Sequence, residues 1–364
     1  MRHLGRMVFA LLLAVNGVLA GLLLLSAYSP YVDPVAHPLR SCLGLAFPVF
    51  LLADVLFLLF WLALRCWRAA LLPLAAVLLC SGQVRTYFPL RLGGQEVPEG
   101  SIKLLSYNVM CFGWHRKADG PSPILEYLGK SGADVLCLQE YLEVESSGYL
   151  SRKDIEKALS AYPYHCVHAV GKARRNHVAC YSKFPILSAR RLEYGSSANG
   201  SVAYKLKVGK DTLTLINNHL ESNKLTAEDK SVYADMLRDP EAEKVKSGTR
   251  LLAGKLAEAS ALRAPQADSI AAETARCGRR RVVVCGDFND SPVSYTHRVA
   301  CEGMKDAFVQ SGCGLGISYN RNRFYFRIDH ILYSPDLQAY RCTVDRSIKA
   351  SDHYPIWCYL SWRS

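Results

Sequence analysis

The chain has 364 residues, of which half are hydrophobic and 21% are charged. This balance excludes intrinsically disordered and fibrous proteins, and the length is sufficient for two or three domains. The charge is uneven, because residues 1–84 hold only five Lys and Arg residues and two acids, which leaves 39 basic and 30 acidic residues beyond them. The sequence therefore predicts an apolar membrane module followed by a basic soluble part. Its surplus of cations suits an anionic partner, or simply a solvated surface.

Three apolar segments near the amino terminus are candidates for transmembrane helices. Residues 7–28 carry no charge and are long enough to cross a hydrocarbon core of ~30 Å. A cleaved signal peptide is the alternative for this segment, but the segment is long for a signal sequence and a second apolar run follows at 42–64. A third segment, 69–84, is short and contains Pro73, yet its apolar composition favours a third crossing.

Charged residues in and around these segments bear on topology. Asp54 lies within the second segment, either as a functional intramembrane acid or as an inward-facing, hydrogen-bonded one. By the positive-inside rule, the amino terminus and the loop near residue 65 face the cytoplasm. Three crossings then place the soluble part on the non-cytoplasmic side, whereas two crossings would reverse this. The basic residues used for this prediction are Arg2, Arg6, Arg65 and Arg68, while Arg85 and Arg91 weigh against it.

The remainder of the chain is predicted to form a linker and one α/β domain. Residues 85–100 contain Pro and Gly without a sustained period, which is typical of a linker. From 101 to 364, short β-rich runs alternate with helical patterns such as 123–130, and this alternation predicts a layered α/β fold with the sheets in the middle. Residues 224–276 differ, because their apolar spacing predicts an amphipathic helix that packs on the sheet.

Ten of the 13 cysteines follow residue 84, and several lie in strand-like apolar runs, namely Cys137, Cys180, Cys285 and Cys358. There they should behave as small buried hydrophobic residues. Their spacing matches no zinc site, so we expect neither a zinc centre nor a dense disulfide framework.

Polar residues suited to catalysis recur at the ends of the predicted strands, where open α/β sheets place their sites. Each one alone is typical of a turn after a strand. Together they offer hard oxygen ligands and imidazoles without a thiolate, which suits Mg²⁺ or Mn²⁺ rather than zinc. The set comprises Asn108, Gln139, Glu140, Asn217, Asn218, His219, Asp287, Asn289, Asp329, His330, Asp352 and His353.

Six short motifs connect these residues: SYNV, LQE, HL, GDFND, IDHI and SDHYP, in this order. In this series the chain resembles the endonuclease/exonuclease/phosphatase superfamily, and most of all its membrane-anchored bacterial members. The resemblance covers residues 101–364 and implies the DNase-I-like fold, a four-layered α/β sandwich of two packed sheets flanked by helices. Residues 224–276 would then be an insertion. The WxGDxNxR block of the inositol polyphosphate 5-phosphatases is not matched.

The resemblance also implies roles for the residues of the motifs. Glu140, helped by Asn108, would bind a divalent metal, with Asp352 as an additional ligand. Asp287 and Asn289 would orient or deprotonate the attacking water and contact the phosphate. Such groups fit phosphate-ester hydrolysis, which builds charge on the equatorial oxygens and needs an in-line water.

Two histidines complete the implied site. His353 would pair with Asp329 and act on the developing charge or as an acid or base, since a carboxylate fixes the tautomer of a neighbouring imidazole. His219 would hold a non-bridging phosphate oxygen.

Four further residues have weaker support. His177 and Lys183 lie near a strand that is close to the site in the family, and a surface role is the alternative for both. Arg323 and Arg327 could meet a phosphate or an acidic head group, or remain solvated. His330 is excluded, because it should point to the opposite face of the sheet from its neighbour.

The sequence therefore predicts a membrane-anchored, divalent-metal-dependent phosphoesterase with its catalytic domain outside the cytoplasm. Its expected partners are the lipid bilayer and a phosphate-ester substrate, which could be a lipid head group, a nucleic acid or a small phosphodiester. No obligate protein partner is evident. A sequence-tolerant nuclease is the alternative within the enzyme class, and an inactive module that binds an anionic ligand is the alternative outside it.

Overall fold

The computed structural model of the chain describes residues 2–91, 93–143, 148–173, 176–238, 241–321 and 324–363. Two parts are visible within these residues. The first is a bundle of apolar helices, and the second is a pair of packed sheets enclosed by helices. The two parts contact each other directly, so the sheets have a defined position relative to the bundle.

The amino-terminal bundle, called the membrane module below, consists of α1 (Arg2–Tyr28), α2 (Pro38–Ser41), α3 (Phe47–Ala63), α4 (Trp67–Leu79) and α5 (Ser81–Tyr87). Within the described residues, two helical stretches are long and apolar enough to cross a membrane, which agrees with the first two predicted segments. The third segment is instead a pair of helices, α4 and α5, bent by 64°. The helix breaks at Cys80 (φ −107°, ψ 20°), not at Pro73, so the module holds two candidate spans, or three if the bent pair forms one.

Polar side chains join α1 to α3 inside the bundle. Asp54 is fully buried, and its Oδ1 accepts a hydrogen bond from Asn16 Nδ2 at 3.2 Å. The Oδ1 of Asn16 in turn accepts from Trp61 Nε1 at 3.0 Å. Asp54 is therefore the inward-facing, hydrogen-bonded acid that the sequence left as one of two interpretations.

Two mixed sheets form the remainder of the fold. The described strands are β1 (Ile102–Asn108), β2 (Val135–Tyr141), β3 (Tyr164–Val170), β4 (Asn176–Ser182), β5 (Ile186–Arg191), β6 (Gly200–Val208), β7 (Asp211–His219), β8 (Val282–Asp287), β9 (Lys305–Asp306), β10 (Tyr319–Arg321), β11 (Phe324–Phe326), β12 (Asp329–Tyr333), β13 (Leu337–Val344) and β14 (Ile356–Trp362). The first sheet has the order β13-β14-β1-β2-β4-β3, and the second has the order β5-β6-β7-β8-β12-β9. Strands β10 and β11 form a separate hairpin.

Helices surround the two sheets, and one of them, the last, also contributes Ala307 and Phe308 to the core between the sheets. They are α6 (Met110–Gly113, a single turn), α7 (Pro123–Lys130), α8 (Arg152–Ala158), α9 (Ala227–Arg238), α10 (Ala242–Arg276), α11 (Tyr295–Ala300) and α12 (Ala307–Ser311). One apolar cluster lies between the sheets, a second lies between the first sheet and α7 and α8, and a third lies between the second sheet and α10 and α11. These layers confirm the predicted four-layered α/β sandwich.

The cysteines behave as predicted. Cys137, Cys180, Cys285 and Cys358 are fully buried in the cluster between the sheets, where they pack as small apolar side chains. All 13 cysteines are free.

The segment 224–276 contains α9 and the whole of α10, a helix of 35 residues. The predicted apolar face of α10 is buried in part, since Leu252 and Ala259 are buried while Leu251 is 45% exposed and Leu262 is 37% exposed. Ser260, Arg263 and Gln266 are buried as well. These polar side chains contact α2 and the loop after β7, while Ile270 packs on the second sheet as predicted.

The membrane module docks on the domain at the end where α1 stops and α2 starts. Arg298 Nε donates to the carbonyl of Pro30 at 2.8 Å, and Ser41 Oγ lies 3.5 Å from Ser260 Oγ. The segment after α5 is attached as well, because the carbonyl of Pro89 accepts from the Gly314 N–H at 2.8 Å.

Candidate active site

Two parallel strand pairs bring the predicted residues to one edge of the sandwich. In the first sheet β1 and β2 are parallel, with Asn108 opposite Gln139. In the second sheet β7 and β8 are parallel, with His219 opposite Asp287. Because parallel neighbours end at the same edge, both sheets place polar residues at their carboxyl ends.

Asn108 lies at the centre of this edge and connects the two sheets. Its Nδ2 donates to Glu140 Oε1 at 3.1 Å and to Asp287 Oδ2 at 3.0 Å, while its Oδ1 accepts from the Met110 N–H. A bulge in β2 after Leu138 gives Glu140 a φ of +49°, and this local turn directs its side chain to Asn108. Asn108 therefore positions two carboxylates.

Three residues form what we call the active-site cluster: Asp287, Asp329 and His353. His353 Nδ1 lies 2.8 Å from Asp329 Oδ2, and its Nε2 lies 3.6 Å from Asp287 Oδ2. The antiparallel pairing of β8 with β12 sets Asp287 directly opposite Asp329. The imidazole is thus held between two buried acids.

His219 approaches the same point from β7. Its Nε2 lies 3.6 Å from Glu140 Oε1 and 3.8 Å from Asp287 Oδ2. The other ring nitrogen, Nδ1, accepts from Asn176 Nδ2 at 3.0 Å. An amide nitrogen can only donate, so His219 presents a protonated Nε2 to the site.

The loop after β8 is shaped by Asn289. This residue has a φ of +52°, its N–H donates to Asp287 Oδ1 at 2.8 Å, and its Nδ2 donates to the Leu220 carbonyl at 3.0 Å. Asn289 therefore fixes Asp287 and joins the loops that follow β7 and β8.

The charges of the active-site cluster depend on one another. Burial opposes the imidazolium of His353, but the charges of Asp329 and Asp287 outweigh it and hold the pKa of His353 well above its usual value. Burial raises the pKa of Asp287 to about 6, against the opposing charges of His353 and His219. The arrangement keeps a proton on an imidazole next to acids, as a proton-transfer site requires.

The donor set suits a hard divalent cation. Glu140 is a partly accessible carboxylate beside the cluster, with 33% of its side chain exposed, compared with 2% for Asp287. Asp329 Oδ1 is buried and has no hydrogen-bond partner within the described residues. Carboxylate oxygens without a thiolate favour Mg²⁺ or Mn²⁺. The residues present therefore fit such an ion beside Glu140.

Two residues of the implied metal set differ in their placement. Asn108 presents N–H groups to the carboxylates, so in this structure it orients Glu140 and does not offer its oxygen to an ion. Asp352 lies beside His353, on a loop that Ser351 ties to β1 by donating from Oγ to the Asn108 carbonyl at 2.8 Å. Its function as a ligand stays a prediction.

Two residues with weaker support, His177 and Lys183, lie away from the cluster. His177 is on β4, but its neighbour Asn176 points between the sheets to His219, so the alternation of the strand turns His177 to the other face. Lys183 pairs with Asp134 at 3.0 Å, next to the start of β2 and far from its catalytic end. Arg323 lies outside the described residues.

Arg327 requires the clearest correction, because it is 3% exposed and does not face the edge where the catalytic side chains meet. Its guanidinium donates to the carbonyls of Thr86 and Leu315, and lies 4.5 Å from the ring centroid of Phe308. The residue therefore binds the end of α5, so a phosphate role is not supported.

A second Asp–His group, called the rear cluster, lies behind the active-site cluster and consists of His297, Asp306 and His330. His297 Nε2 lies 2.9 Å from Asp306 Oδ2, and Asp306 Oδ1 caps α12 by accepting from the Phe308 N–H at 2.7 Å. Burial and His297 lower the pKa of His330 to about 3, so this ring is neutral. His330 points away from the active-site cluster, as strand alternation predicts.

Sequence reasoning missed Asn176 and Ser351. Asn176 lies outside the six motifs, and Ser351 is the first residue of SDHYP, in which only Asp352 and His353 were considered. The strand phase of β4 was the one available signal for Asn176, since Val178 and Cys180 of the same strand face the inter-sheet core.

Comparison with known proteins supports this description. A model of the Endonuclease/Exonuclease/phosphatase family matches residues 105–353. Residues 9–87 match a domain of unknown function (DUF8431). No curated protein matches the chain.

Several solved structures resemble the chain at low identity. An endonuclease/exonuclease/phosphatase family protein from Bacteroides thetaiotaomicron has 16% identity and a TM-score of 0.48, over 71% of this chain and 94% of that one. A mannosyl-6-phosphatase from the same organism has 17% identity and a TM-score of 0.48, over 72% and 100%. Truncated TDP2 from Caenorhabditis elegans has 15% identity and a TM-score of 0.46, over 71% and 97%.

The assignment rests on the family model, which spans more than half of the chain and every motif from SYNV to the histidine of SDHYP. The chain belongs to the endonuclease/exonuclease/phosphatase family and is a hydrolase that acts on phosphate ester bonds.

Proposed function

We propose that the chain is a membrane-anchored, divalent-metal-dependent phosphoesterase that cleaves phosphodiester or phosphomonoester bonds by in-line attack of water. The proposal rests on one observation: two imidazoles converge on Asp287 Oδ2, with His353 Nε2 at 3.6 Å and His219 Nε2 at 3.8 Å. A base beside two imidazoles provides both proton transfer and stabilisation of anionic oxygens. Residues 1–84 would anchor the chain, 85–100 would link, and 101–364 would catalyse.

The metal would be Mg²⁺ or Mn²⁺, held by Glu140 with Asp352 as a further ligand and Asn108 as the group that orients Glu140. When bound, such an ion neutralises charge on the phosphate oxygens and positions the substrate.

The remaining residues would carry out the proton transfers. Asp287 is held by two donors of Asn289 and would orient the attacking water and accept its proton. His353, fixed by Asp329, would stabilise the developing negative charge or protonate the leaving oxygen. His219 would donate from Nε2 to a non-bridging oxygen.

The contacts of the membrane module support a side for the catalytic domain. The domain binds the module at Pro30 and Ser41, whereas the loop with Arg65 and Arg68 lies at the opposite end of α3. The positive-inside rule assigns that loop to the cytoplasm, so we expect the domain on the non-cytoplasmic face.

Cys313 is exposed on the catalytic domain and offers a test of this topology. A membrane-impermeant maleimide added to intact cells should label the native chain more than Cys313→Ser. A difference that emerges only after lysis would contradict the proposed side.

The bilayer anchor favours substrates at the membrane surface, such as lipid head groups and small phosphodiesters. A sequence-tolerant nuclease is the second candidate, because basic residues outnumber acids 39 to 30 beyond residue 84. Nucleic-acid binding releases counterions, so nuclease turnover should fall steeply as salt rises. Turnover that is flat in salt favours the small or lipid substrate.

The decisive experiment is hydrolysis by the full chain in lipid nanodiscs, with Mg²⁺ and with EDTA. The substrates are bis(p-nitrophenyl) phosphate, a phosphomonoester, plasmid DNA and a phospholipid panel. Glu140→Gln should remove turnover, while the matched control Glu126→Gln, an exposed acid on α7, should not. Absence of turnover by the folded chain with every metal and substrate would favour an inactive anion-binding module.

A further inference from the structure

Two loops carry the catalytic residues to the edge of the second sheet: 220–223, which follows His219, and 288–294, which follows Asp287. The loops are bonded to each other. Asn289 Nδ2 donates to the Leu220 carbonyl at 3.0 Å, and Asn223 Nδ2 donates to the Asn289 carbonyl at 3.4 Å. Displacing one loop therefore displaces the other.

Arg263 of α10 holds both loops. This residue is 2% exposed, and its Nη1 donates to the Glu221 carbonyl at 3.0 Å and to Asn223 Oδ1 at 2.8 Å. Its Nε lies 3.3 Å from Asp290 Oδ2, in the second loop. Gln266, one turn later, accepts from the Glu221 N–H at 2.9 Å. Only a planar guanidinium offers donors in these directions at once, so lysine cannot reproduce the set.

The membrane module contacts the same helix and the same loop. Ser41 Oγ lies 3.5 Å from Ser260 Oγ, three residues before Arg263. Val293 of the second loop is 2% exposed and packs in an apolar cluster of the module that includes Phe47.

The membrane module approaches the 288–294 loop closely at Gly44. A Cβ atom added to this residue would lie 2.0 Å from the carbonyl oxygen of Val293, so only glycine allows the module and the loop to meet. The backbone of the catalytic loop is therefore fixed from two sides, by Arg263 and by the module at Gly44.

We propose that Arg263 and Gly44 are positioning residues for the reaction, and that the membrane module is part of the scaffold that holds the 288–294 loop in its catalytic geometry. The inference rests on the proposed function, because it assumes that Asp287 and Asn289 act on a phosphate ester. Its physical basis is that a shift of about 1 Å at a reacting group can lower a rate about 100-fold.

The test uses the full chain in nanodiscs and two pairs of variants. Gly44→Ala is compared with Gly21→Ala, a helix residue whose added Cβ meets nothing within 4 Å. Arg263→Lys, which keeps the charge beside Asp290, is compared with Arg263→Met, which does not. The measurements are kcat and KM for bis(p-nitrophenyl) phosphate, and hydrogen–deuterium exchange of residues 288–294. A thermal melt selects the variants that remain folded.

We expect Gly44→Ala and Arg263→Lys to lower kcat about tenfold or more, with a smaller change in KM and faster exchange in the 288–294 loop. Gly21→Ala should match the native chain. If Arg263 only balanced the charge of Asp290, the lysine variant would keep the native kcat, and that result would overturn its role. Native kcat and native exchange in folded Gly44→Ala would overturn the role of the module.

Failure of the proposed function has a different outcome. If the native chain hydrolyses no phosphate ester, the proposed function is contradicted, and the exchange data alone then decide the inference. Faster exchange of the 288–294 loop in both variants supports the scaffold, and unchanged exchange rejects it.

Discussion

Strand β12 contributes one residue to each of two Asp–His clusters, which lie on opposite faces of the second sheet. Asp329 belongs to the active-site cluster and His330 to the rear cluster. Both clusters contain only buried residues, and in each the candidate ligand atoms lie within 4.8 Å of one another. Residue type and burial therefore do not distinguish them.

The partners of the acids do distinguish the two clusters. In the rear cluster, Asp306 caps α12, accepts from His297 and lies near the charge of Arg327. Both oxygens of its carboxylate therefore already have partners within the fold. In the active-site cluster, Asp287 shares the Asn108 amide with Glu140 and lies 3.8 Å from His219 Nε2, at the edge where parallel strands end. Of the two clusters, only the active-site cluster lies beside a partly exposed carboxylate, Glu140, so we expect only this cluster to act on a substrate.

The largest expected effect is on kcat, and it should distinguish the active-site cluster from the rear cluster. His353→Asn should lower kcat by about 10²–10⁴-fold, because a proton-transfer group is removed while the packing is kept. The matched variant His297→Asn should retain kcat and lose thermal stability instead. Both are measured as full chains with Mg²⁺, and near-native turnover by His353→Asn would remove the distinction between the clusters.

The next effect concerns stability. Asp306→Asn should lower the free energy of unfolding by about 3–5 kcal/mol, because it breaks a buried ion pair. Burial opposes ionisation of Asp306, but His297 and Arg327 outweigh it and hold its pKa well below the usual range. The contribution is therefore complete above the usual carboxyl pKa and is lost as pH falls toward the lowered one. Denaturant titrations should show the difference between native chain and variant shrinking in acid, and a pH-independent difference would contradict this origin.

A smaller effect is expected at Asn108, which orients the proposed metal ligand Glu140. Asn108→Ala should raise the Mg²⁺ concentration for half-maximal activity by about 10–100-fold, because Asn108 orients Glu140 from outside the ligand set. Activity titrated against Mg²⁺ measures this change. An unaltered half-maximal concentration would mean that Glu140 needs no such support.

The smallest effect tests which residue of β4 serves the site. Asn176→Ala should lower kcat about two- to tenfold, since one hydrogen bond contributes about 0.5–1.5 kcal/mol. His177→Ala, one residue away on the opposite face, is the control and should retain kcat. Equal losses in both variants would contradict the orientation of the strand.

Much of the fold followed from local patterns. Alternating strands and helices predicted a layered α/β fold, and the resemblance carried by the six motifs implied the four-layered sandwich. Apolar length predicted three crossings, of which the first two are helices long enough to span a membrane. The residues at strand ends meet because parallel strands share an edge, and this geometry follows from sequence once the pairing is known.

The remaining features depend on contacts between distant parts of the chain. Arg327 resembled a phosphate ligand, but it binds the Thr86 carbonyl, 241 positions earlier. His177 was a candidate and Asn176 was not considered, because the contact between Asn176 and His219 joins strands of different sheets, 43 positions apart. The burial of Ser260 and Gln266 on α10 was not predicted, since their partners are α2 and the loop after β7.

The segment after α5 determines how the membrane module and the catalytic domain are joined. Its residues are attached to the catalytic domain, because Gly314 donates to Pro89 and Arg341 Nε donates to the Gln95 carbonyl at 2.8 Å. With the proposed anchoring, these contacts would hold the active site at a constant distance from the bilayer surface, which a flexible linker would not do. The chain would then cleave phosphate esters that lie at that distance and leave those nearer or further away uncleaved.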